Sequence, residues 1–368
     1  MSFKAKMLLI AGGIMTLCIA GGILIAWNLN QQYYKTMPKR FPEQWALHNT
    51  GQTVDGSKGK RGVDMNIVKA WKITKGAPSV IIGILDTGIQ IDHPALKDQI
   101  YRNSNEVTDN KMDDDQNGYI DDTQGWNFLE KNNKVYDSYL HDYHGTSIAG
   151  IIAASHETGA VAGVAPNVKI LPLKFMRSTS GSMNSAIEAI EYAHKMGVKI
   201  INCSWDSLNY NEKLEDTMKR YSDILFICSS GKTRSDLTKS PVYPACFELD
   251  NVISVAAITN TGELYEYSGY GENVDVAAPG EKVLITLPDG DGSFTDGTSI
   301  AVANVTGVAA LIQSKFPELS ALEIAQKLRT NARKIKSLEG KCASGGVIDA
   351  AACLSIETDL MREGTTTS

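Results

Sequence analysis

Apolar runs rich in β-branched residues alternate with amphipathic segments of helical length from residue 79 onward. Short continuous runs of this kind predict strands that are buried on both faces, as in a parallel sheet. The alternation therefore predicts an α/β fold with a mostly parallel sheet and helices on both faces. The predicted helices cover 182–196, 211–221 and 63–72, the last with Asp64 as its N-cap, and the predicted strands cover 79–85, 168–173, 198–203, 224–229, 252–258 and 274–277.

A separate apolar segment, residues 7–27, carries no charge over 21 positions. That length is enough for a helix to span a bilayer, and we interpret it as one N-terminal transmembrane signal anchor. A cleaved signal peptide is the alternative, in which case the protein would be secreted. The anchor reading predicts a single-pass protein of the cell membrane whose main domain is extracytoplasmic. The predicted organisation is a cytoplasmic tail (1–6), the anchor (7–27), a linker (28–61), the folded domain (62–356) and a flexible tail (357–368).

The composition is that of a globular protein, with 43% hydrophobic and 21% charged residues. The formal net charge is −6, which argues against a broad basic surface and hence against nucleic acid as a partner.

Three polar residues stand where such a fold collects its chemistry. Functional residues of parallel sheets gather at the carboxyl ends of the strands, and Asp86 directly follows the first predicted strand. His144 opens a predicted helix of small and apolar residues, and Ser299 stands at the start of another. Each has an ordinary structural reading, since Asp is common in turns and Ser is common as a helix N-cap. A nucleophile needs a base and an orienting carboxylate, and these three residues could supply that set.

An acidic segment follows the first strand, with five carboxylates in the ten residues 113–122. Asp113, Asp115, Asn117 and the Tyr119 carbonyl fall at positions 1, 3, 5 and 7 of an EF-hand-like loop, with Asp121 nearby. Position 12 is a Gln rather than the usual bidentate Glu, so the loop is not a full EF-hand. We predict a structural Ca²⁺ site here, and a solvated acidic turn is the alternative.

The order Asp86, His144, Ser299 and the motifs around these residues resemble the subtilisin-like serine proteases, including calcium-binding, thermitase-like members. The resemblance covers roughly residues 44–354. The matching stretches are 84–88 (Ile-Leu-Asp-Thr-Gly), 144–150 (His-Gly-Thr-Ser-Ile-Ala-Gly), 163–166 (Gly-Val-Ala-Pro), 251–256 (Asn-Val-Ile-Ser-Val-Ala), 278–280 (Ala-Pro-Gly) and 297–301 (Gly-Thr-Ser-Ile-Ala), with 125–128 (Gly-Trp-Asn-Phe) after the acidic segment.

The resemblance implies a three-layer subtilisin-like fold and hydrolysis of peptide bonds in a polypeptide substrate. It assigns Ser299 as the nucleophile, His144 as general base and then acid, and Asp86 as the carboxylate that orients His144. It also implies substrate-binding segments at Ser204, Trp205 and Asp206 and at Ser229, Ser230 and Gly231. An acyl-enzyme intermediate is expected, with no cofactor for catalysis.

Two of these segments depart from the family pattern. Lys232 stands at the oxyanion position, where the family has Asn, and Asp206 stands where the family usually has Gly. We hypothesise that these two opposite charges pair across the site, which would draw Lys232 away from the oxyanion. The leading interpretation is a membrane-anchored serine endopeptidase. The alternative is a catalytically impaired pseudoprotease that acts as a peptide-binding or regulatory module.

Overall fold

The fold is organised around one large sheet. The computed structural model describes residues 36–288, 290 and 292–355. The predicted span 7–27 and tail 357–368 lie outside the described residues. The strands, in chain order, are β1 (Thr53–Val54), β2 (Ser57–Lys58), β3 (Ile81–Asp86), β4 (Trp126–Asn127), β5 (Lys169–Lys174), β6 (Met176–Arg177), β7 (Ser180–Gly181), β8 (Ile200–Cys203), β9 (Leu225–Ser229), β10 (Val252–Ile258), β11 (Val276–Pro279), β12 (Val283–Ile285), β13 (Ser293–Thr295), β14 (Arg333–Lys334) and β15 (Gly346–Val347).

The large sheet has nine strands in the described residues, in the order β14-β15-β11-β10-β9-β8-β3-β5-β4. Its strands are parallel except for the antiparallel pair β14 and β15. Every residue of β9 and β10 is buried, so both faces of the sheet centre are covered. The predicted α/β fold with a mostly parallel sheet is confirmed. Short antiparallel pairs, β1 with β2, β6 with β7 and β12 with β13, lie outside this sheet.

Helices pack on the sheet in the intervals between strands. Ser182 and Asn211 cap two of them, because their side chains accept hydrogen bonds from the backbone N–H groups of Ser185 and Leu214. The described helices are α1 (Ile67–Ala70), α2 (Tyr139–Ala153), α3 (Met183–Lys195), α4 (Glu212–Arg220), α5 (Thr298–Lys315), α6 (Ala321–Thr330) and α7 (Ala350–Cys353), with 3₁₀ turns at Phe41–Glu43 and Lys336–Leu338.

The helix predicted for 63–72 is shorter than expected, since α1 covers only Ile67–Ala70. Asp64 does not cap it. Its carboxylate instead accepts hydrogen bonds from the backbone N–H groups of Asn49 and Asn66, at 2.8 and 2.9 Å. Asn66 precedes the helix in the left-handed conformation. A turn held by Asp64 thus replaces the first predicted helical turn.

Part of the predicted linker 28–61 is packed into the domain. Phe41 and Trp45 are 1% and 0% exposed and belong to the same apolar core as the sheet. The Trp45 indole donates to the carbonyl oxygens of Glu281 and Lys282, more than 230 residues away in the chain. Packing against the core thus begins before residue 62.

Among the described residues, no helix has both the length and the apolar character that crossing a bilayer requires.

Candidate active site

Three neighbouring strands end at one edge of the sheet and bring the predicted site residues together. Strand β3 lies beside β8, and β8 lies beside β9, all in parallel. Strand β3 ends at Asp86. The chain leaves β8 directly into Ser204 and leaves β9 after Ser229. Residues that are over 100 positions apart in the sequence therefore share one edge.

Asp86 and His144 form the hydrogen-bonded pair that the sequence predicts. His144 Nδ1 lies 2.8 and 3.0 Å from the two carboxylate oxygens of Asp86, which is 1% exposed. Helix α2 begins at Tyr139, so the prediction that His144 opens its helix was wrong, and the imidazole projects from the second turn. Since an ionised carboxylate only accepts hydrogen bonds, Nδ1 is the donor, and this leaves Nε2 facing away from Asp86.

The electrostatic surroundings favour a protonated His144. Burial of the imidazole lowers its pKa, but the negative charge of Asp86 and the hydrogen bond to it raise the pKa more, so the net shift is upward. The positive charge of Lys232 opposes this shift. An imidazole with a raised pKa can accept a proton from a neighbouring hydroxyl group and retain it.

Two glycines allow α2 to approach the end of β3. A Cβ atom on Gly145 would lie 2.2 Å from the carbonyl oxygen of Gly88, which no real side chain tolerates. The Gly145 N–H also donates to the Thr87 hydroxyl at 3.1 Å. The residue after Asp86 is thus hydrogen-bonded to the residue after His144, which fixes the two functional side chains relative to each other.

Ser299 lies in the first turn of α5 and is not its N-cap. The cap position is Gly297, and no side-chain hydrogen bond caps the helix, so the structural reading of Ser299 as a cap was wrong. The Ser299 hydroxyl makes no hydrogen bond within 3.5 Å to His144 or to any other described residue. Its backbone N–H, likewise without an acceptor among the described residues, points from the positive end of the helix dipole.

A buried chain of hydrogen bonds supports Ser299 from behind. Its carbonyl oxygen accepts from the Ser204 hydroxyl at 3.0 Å, and Ser204 accepts from the Asn202 amide at 2.8 Å. The Thr306 hydroxyl donates to the side-chain amide oxygen of Asn202 at 2.9 Å. Because Asn202 belongs to β8 and Thr306 to α5, these hydrogen bonds tie the helix that carries Ser299 to the sheet.

Lys232 reaches toward Ser299. Gly231 turns the chain after β9 with a φ of 75°, a conformation that favours glycine. The Lys232 ammonium nitrogen and the Ser299 hydroxyl oxygen lie 3.4 and 3.2 Å from the same point, the position of a Cβ added to Gly297. Lys232 thus lies at the same edge of the sheet as Ser299, as its place in the sequence predicts.

The predicted ion pair between Lys232 and Asp206 is not formed. Within the described chain, no nitrogen–oxygen contact of 4.0 Å or less joins these side chains. The two side chains extend in different directions from neighbouring segments. The Asp206 carboxylate lies against Gly231, with one oxygen 3.2 Å from a Cβ placed there, whereas Lys232 extends toward Gly297.

A cavity of about 360 Å³ lies in front of these residues. His144, Ser299, Lys232 and most of the predicted substrate-binding residues line it. Ser230 and Gly231 are buried beside the wall, where the Ser230 hydroxyl donates to the Gly269 carbonyl oxygen. The described lining residues are Thr87, His141, Tyr143, His144, Met176, Ser178, Thr179, Ser204, Trp205, Asp206, Ser229, Lys232, Thr298 and Ser299. The cavity thus has both apolar and polar walls, which is typical of ligand-binding sites.

A buried ion pair, which was not predicted from the sequence, anchors the start of α2. Lys174 and Asp142 are 1% and 0% exposed and are hydrogen-bonded through the ammonium group and one carboxylate oxygen. Lys174 also contacts Asp137 at 3.1 Å, and it is the register partner of Asp86 in the sheet. Asp142 stands two residues before His144. A lysine at the end of a predicted buried strand was the signal that could have revealed the pair.

The acidic segment brings three carboxylates together. Glu106, Asp113 and Asp115 place carboxylate oxygens within 4.8 Å of one another. Glu106 was not predicted, because it lies seven residues before the EF-hand-like pattern. Burial raises its pKa, hydrogen bonds from backbone N–H groups lower it, and the charges of Asp115 and Asp122 raise it further, so the net shift is upward. Clustered carboxylates of this kind suit a hard cation such as Ca²⁺.

The other predicted ligands have different surroundings. The Asp121 carboxylate accepts hydrogen bonds from the backbone N–H groups of Asn110 and Lys111, both at 3.0 Å. The Asn117 amide donates to Asp115 and Asp122. The Tyr119 ring packs edge-on against aromatic rings, including that of Tyr192 at 4.7 Å. Glu106, Asp113 and Asp115 are thus the residues whose carboxylates converge.

Comparisons with known proteins agree with this geometry. Residues 77–350 match the Peptidase_S8 family, described as the subtilase family. The chain is 32% identical to Subtilisin DY of Bacillus licheniformis over 277 residues, which cover 73% of this chain and 90% of that protein. It is 34% identical to an intracellular serine protease of Paenibacillus polymyxa over 259 residues, which cover 69% and 72% of the two chains.

The fold is also similar to that of solved proteins. A structure of a protease from Pseudoalteromonas arctica aligns with a TM-score of 0.66 and 25% sequence identity. The alignment covers 86% of this chain and 98% of that one.

Proposed function

The chain belongs to the subtilase family of serine-type endopeptidases, and we propose that it hydrolyses peptide bonds with Asp86, His144 and Ser299. The observation that supports this most directly is the pair of hydrogen bonds, 2.8 and 3.0 Å long, between His144 Nδ1 and the Asp86 carboxylate. His144 and Ser299 both face the same cavity.

In this mechanism the Ser299 hydroxyl attacks the scissile carbonyl carbon while His144 Nε2 takes its proton. Asp86 keeps the imidazole in the required tautomer and stabilises the imidazolium, and the raised pKa of His144 is in keeping with that role. The imidazolium then protonates the leaving amine, and water hydrolyses the acyl-enzyme in the reverse sense. Because catalytic hydrogen bonds often tighten only when substrate binds, we expect the contact between Nε2 and the Ser299 hydroxyl to close then.

The developing oxyanion needs donors on the other side of the carbonyl group. We propose that the Ser299 N–H, at the positive end of α5, supplies one donor and the Lys232 ammonium supplies the other. In subtilisin, a relative within the family, loss of the Asn at this position costs about 10²–10³-fold in kcat. An ammonium is a mobile point charge rather than a fixed amide, so we expect Lys232 to restore only part of that factor.

A fluorophosphonate probe tests the proposed chemistry, because it labels an activated serine covalently. We expect the full chain to be labelled, and the label to be lost in Ser299→Ala and His144→Ala. If Lys232 is the working donor, Lys232→Met should slow labelling, and Lys232→Asn should label faster than Lys232→Met. A folded chain that takes no label would instead favour the pseudoprotease alternative. The observation in favour of that alternative is that Lys232 replaces the oxyanion Asn of the family.

We further propose that Glu106, Asp113 and Asp115 hold a structural Ca²⁺ ion, on the support of their convergent carboxylates. Such an ion would neutralise mutual repulsion and bind the native state only, so added Ca²⁺ should raise the melting temperature. Asp113→Asn should reduce that rise. Asp109→Asn is the matched control, because Asp109 is exposed in the same segment and is not part of the cluster. An equal rise in both variants would contradict this assignment.

The uncharged segment 7–27 supports a third proposal, that the peptidase domain is held outside the cytoplasm by a membrane anchor. The full chain should then stay with membranes through an alkaline carbonate wash, and a chain lacking residues 1–27 should not. Sequencing the N-terminus of the membrane-bound protein separates the anchor from a cleaved signal. Release of the full, uncleaved chain by carbonate would contradict the anchor.

A further inference from the structure

Asp206 stands at a fixed place in the wall of the catalytic cavity. The preceding Trp205 is buried and packs against Phe175, with ring centroids 5.0 Å apart. Ser204, one residue earlier, is hydrogen-bonded to the Ser299 carbonyl oxygen. The backbone that carries Asp206 is therefore tied both to the core and to the nucleophile's own helix.

The Asp206 carboxylate lies in the space left by a missing side chain. Its oxygens and carboxyl carbon are 3.2 to 3.5 Å from the position of a Cβ added to Gly231. Gly231 follows β9, the neighbour of the strand that leads into Asp206. The carboxylate thus lies between the two segments that form this side of the cavity.

No described residue is a partner for this carboxylate. It accepts no hydrogen bond and forms no ion pair within 4.0 Å among the described residues. Asp206 is exposed to the solvent of the cavity, and the positive charge of Lys232 offsets part of the rise in its pKa that burial causes. An exposed carboxylate without a hydrogen-bond partner in the protein can accept a hydrogen bond from a cation that enters the cavity.

We propose, on the basis of the peptidase function above, that Asp206 is a specificity-determining residue that selects substrates with a lysine or arginine side chain next to the scissile bond. The ammonium or guanidinium group of the substrate forms a charge-assisted hydrogen bond with Asp206. Lys232 does not occupy the carboxylate, because it extends toward Gly297 instead. The cationic side chain of the substrate then binds at Asp206, and the Lys232 ammonium remains near Ser299.

The test compares two peptide substrates that differ only in lysine or norleucine, its uncharged analogue, before the scissile bond. The measured quantity is the ratio of kcat/KM for the two peptides. We expect the wild type to prefer lysine and Asp206→Asn to reduce the ratio about 10- to 100-fold, the range for a hydrogen bond to a charged group. Asp216→Asn makes the same change in net charge at an exposed position outside the cavity and should leave the ratio unchanged.

An unchanged ratio in Asp206→Asn, or an equal loss of both activities, would overturn the proposal, and Asp206→Ser repeats the test if the first variant does not fold.

Binding of benzamidine to Ser299→Ala provides a readout that needs no catalysis. Adding Asp206→Asn should weaken it at least 10-fold, whereas binding of neutral benzamide should not weaken. Wild-type protein that resists fluorophosphonate labelling but binds benzamidine through Asp206 would refute the peptidase function alone. Labelled protein that shows no preference for lysine would refute only the specificity.

Discussion

Removing the buried Lys174 ammonium should destabilise the protein more than any surface ion pair could. Lys174 and Asp142 are 1% and 0% exposed, so Lys174→Met leaves a fully buried carboxylate without its cation. Breaking a buried pair by removing one partner costs about 3–5 kcal/mol. The Asp142 carboxylate keeps hydrogen bonds from the backbone N–H groups of Asp137 and Ser138, at 2.5 and 3.3 Å, so we expect the lower end, about 3 kcal/mol.

The assay is urea unfolding, with the loss read from the midpoint at constant slope. Arg177→Met is the matched control, because Arg177 also bonds to Asp137 but is 46% exposed. An exposed pair of this kind is screened by water and contributes little to stability. Equal losses in Lys174→Met and Arg177→Met would refute the reasoning. Adding Asp142→Asn to Lys174→Met removes the unpaired charge and should recover part of the stability.

Three further outcomes follow from the same structure. Gly145→Ala should cost about 1–3 kcal/mol in urea unfolding and slow probe labelling, since its new methyl carbon would lie 2.2 Å from the Gly88 carbonyl oxygen. A control Ala at an exposed position should do neither. Burial lowers the pKa of His156 from 6.5 to about 4. The unfolded chain therefore binds an extra proton in this range, and about 3 kcal/mol of stability should be lost as pH falls from 6.5 to 4. His156→Gln should flatten that dependence, and a parallel loss in both proteins would contradict it. The acid limb of the labelling rate should have its midpoint above 6.5, because Asp86 raises the pKa of His144. Lys232→Met should move this midpoint further up, and a downward shift would contradict the assigned electrostatics.

Much of the fold could be predicted because its signals are local. The run 252–258 is strand β10 to the residue, and every one of its side chains is buried. Helices α3 and α4 begin directly after Ser182 and Asn211, the first residues of the two predicted segments. Continuous apolar runs and side-chain caps are properties of neighbouring residues, so they can be read before any tertiary contact is known.

The errors occur where distant residues decide the local structure. Helix α2 begins five residues before His144. Its first two residues, Tyr139 and Leu140, are exposed, so they do not extend the apolar pattern of the buried helix face. The Asp142 carboxylate binds the backbone just ahead of the helix and is paired with Lys174, 32 residues away. Glu106 likewise joins Asp113 and Asp115 only because the chain folds back on itself. No pattern in a short window contains such contacts.

The sequence by itself determined the identity and order of Asp86, His144 and Ser299, and also the two departures, Lys232 and Asp206. These are properties of the chain's chemistry, which folding does not alter. Only the tertiary structure decided how the two departures relate. Opposite charges on neighbouring segments suggest an ion pair, yet the direction of a side chain depends on the backbone turn and on the space beside it. Gly231 provides that turn and that space, so Asp206 lies against it while Lys232 extends toward Ser299.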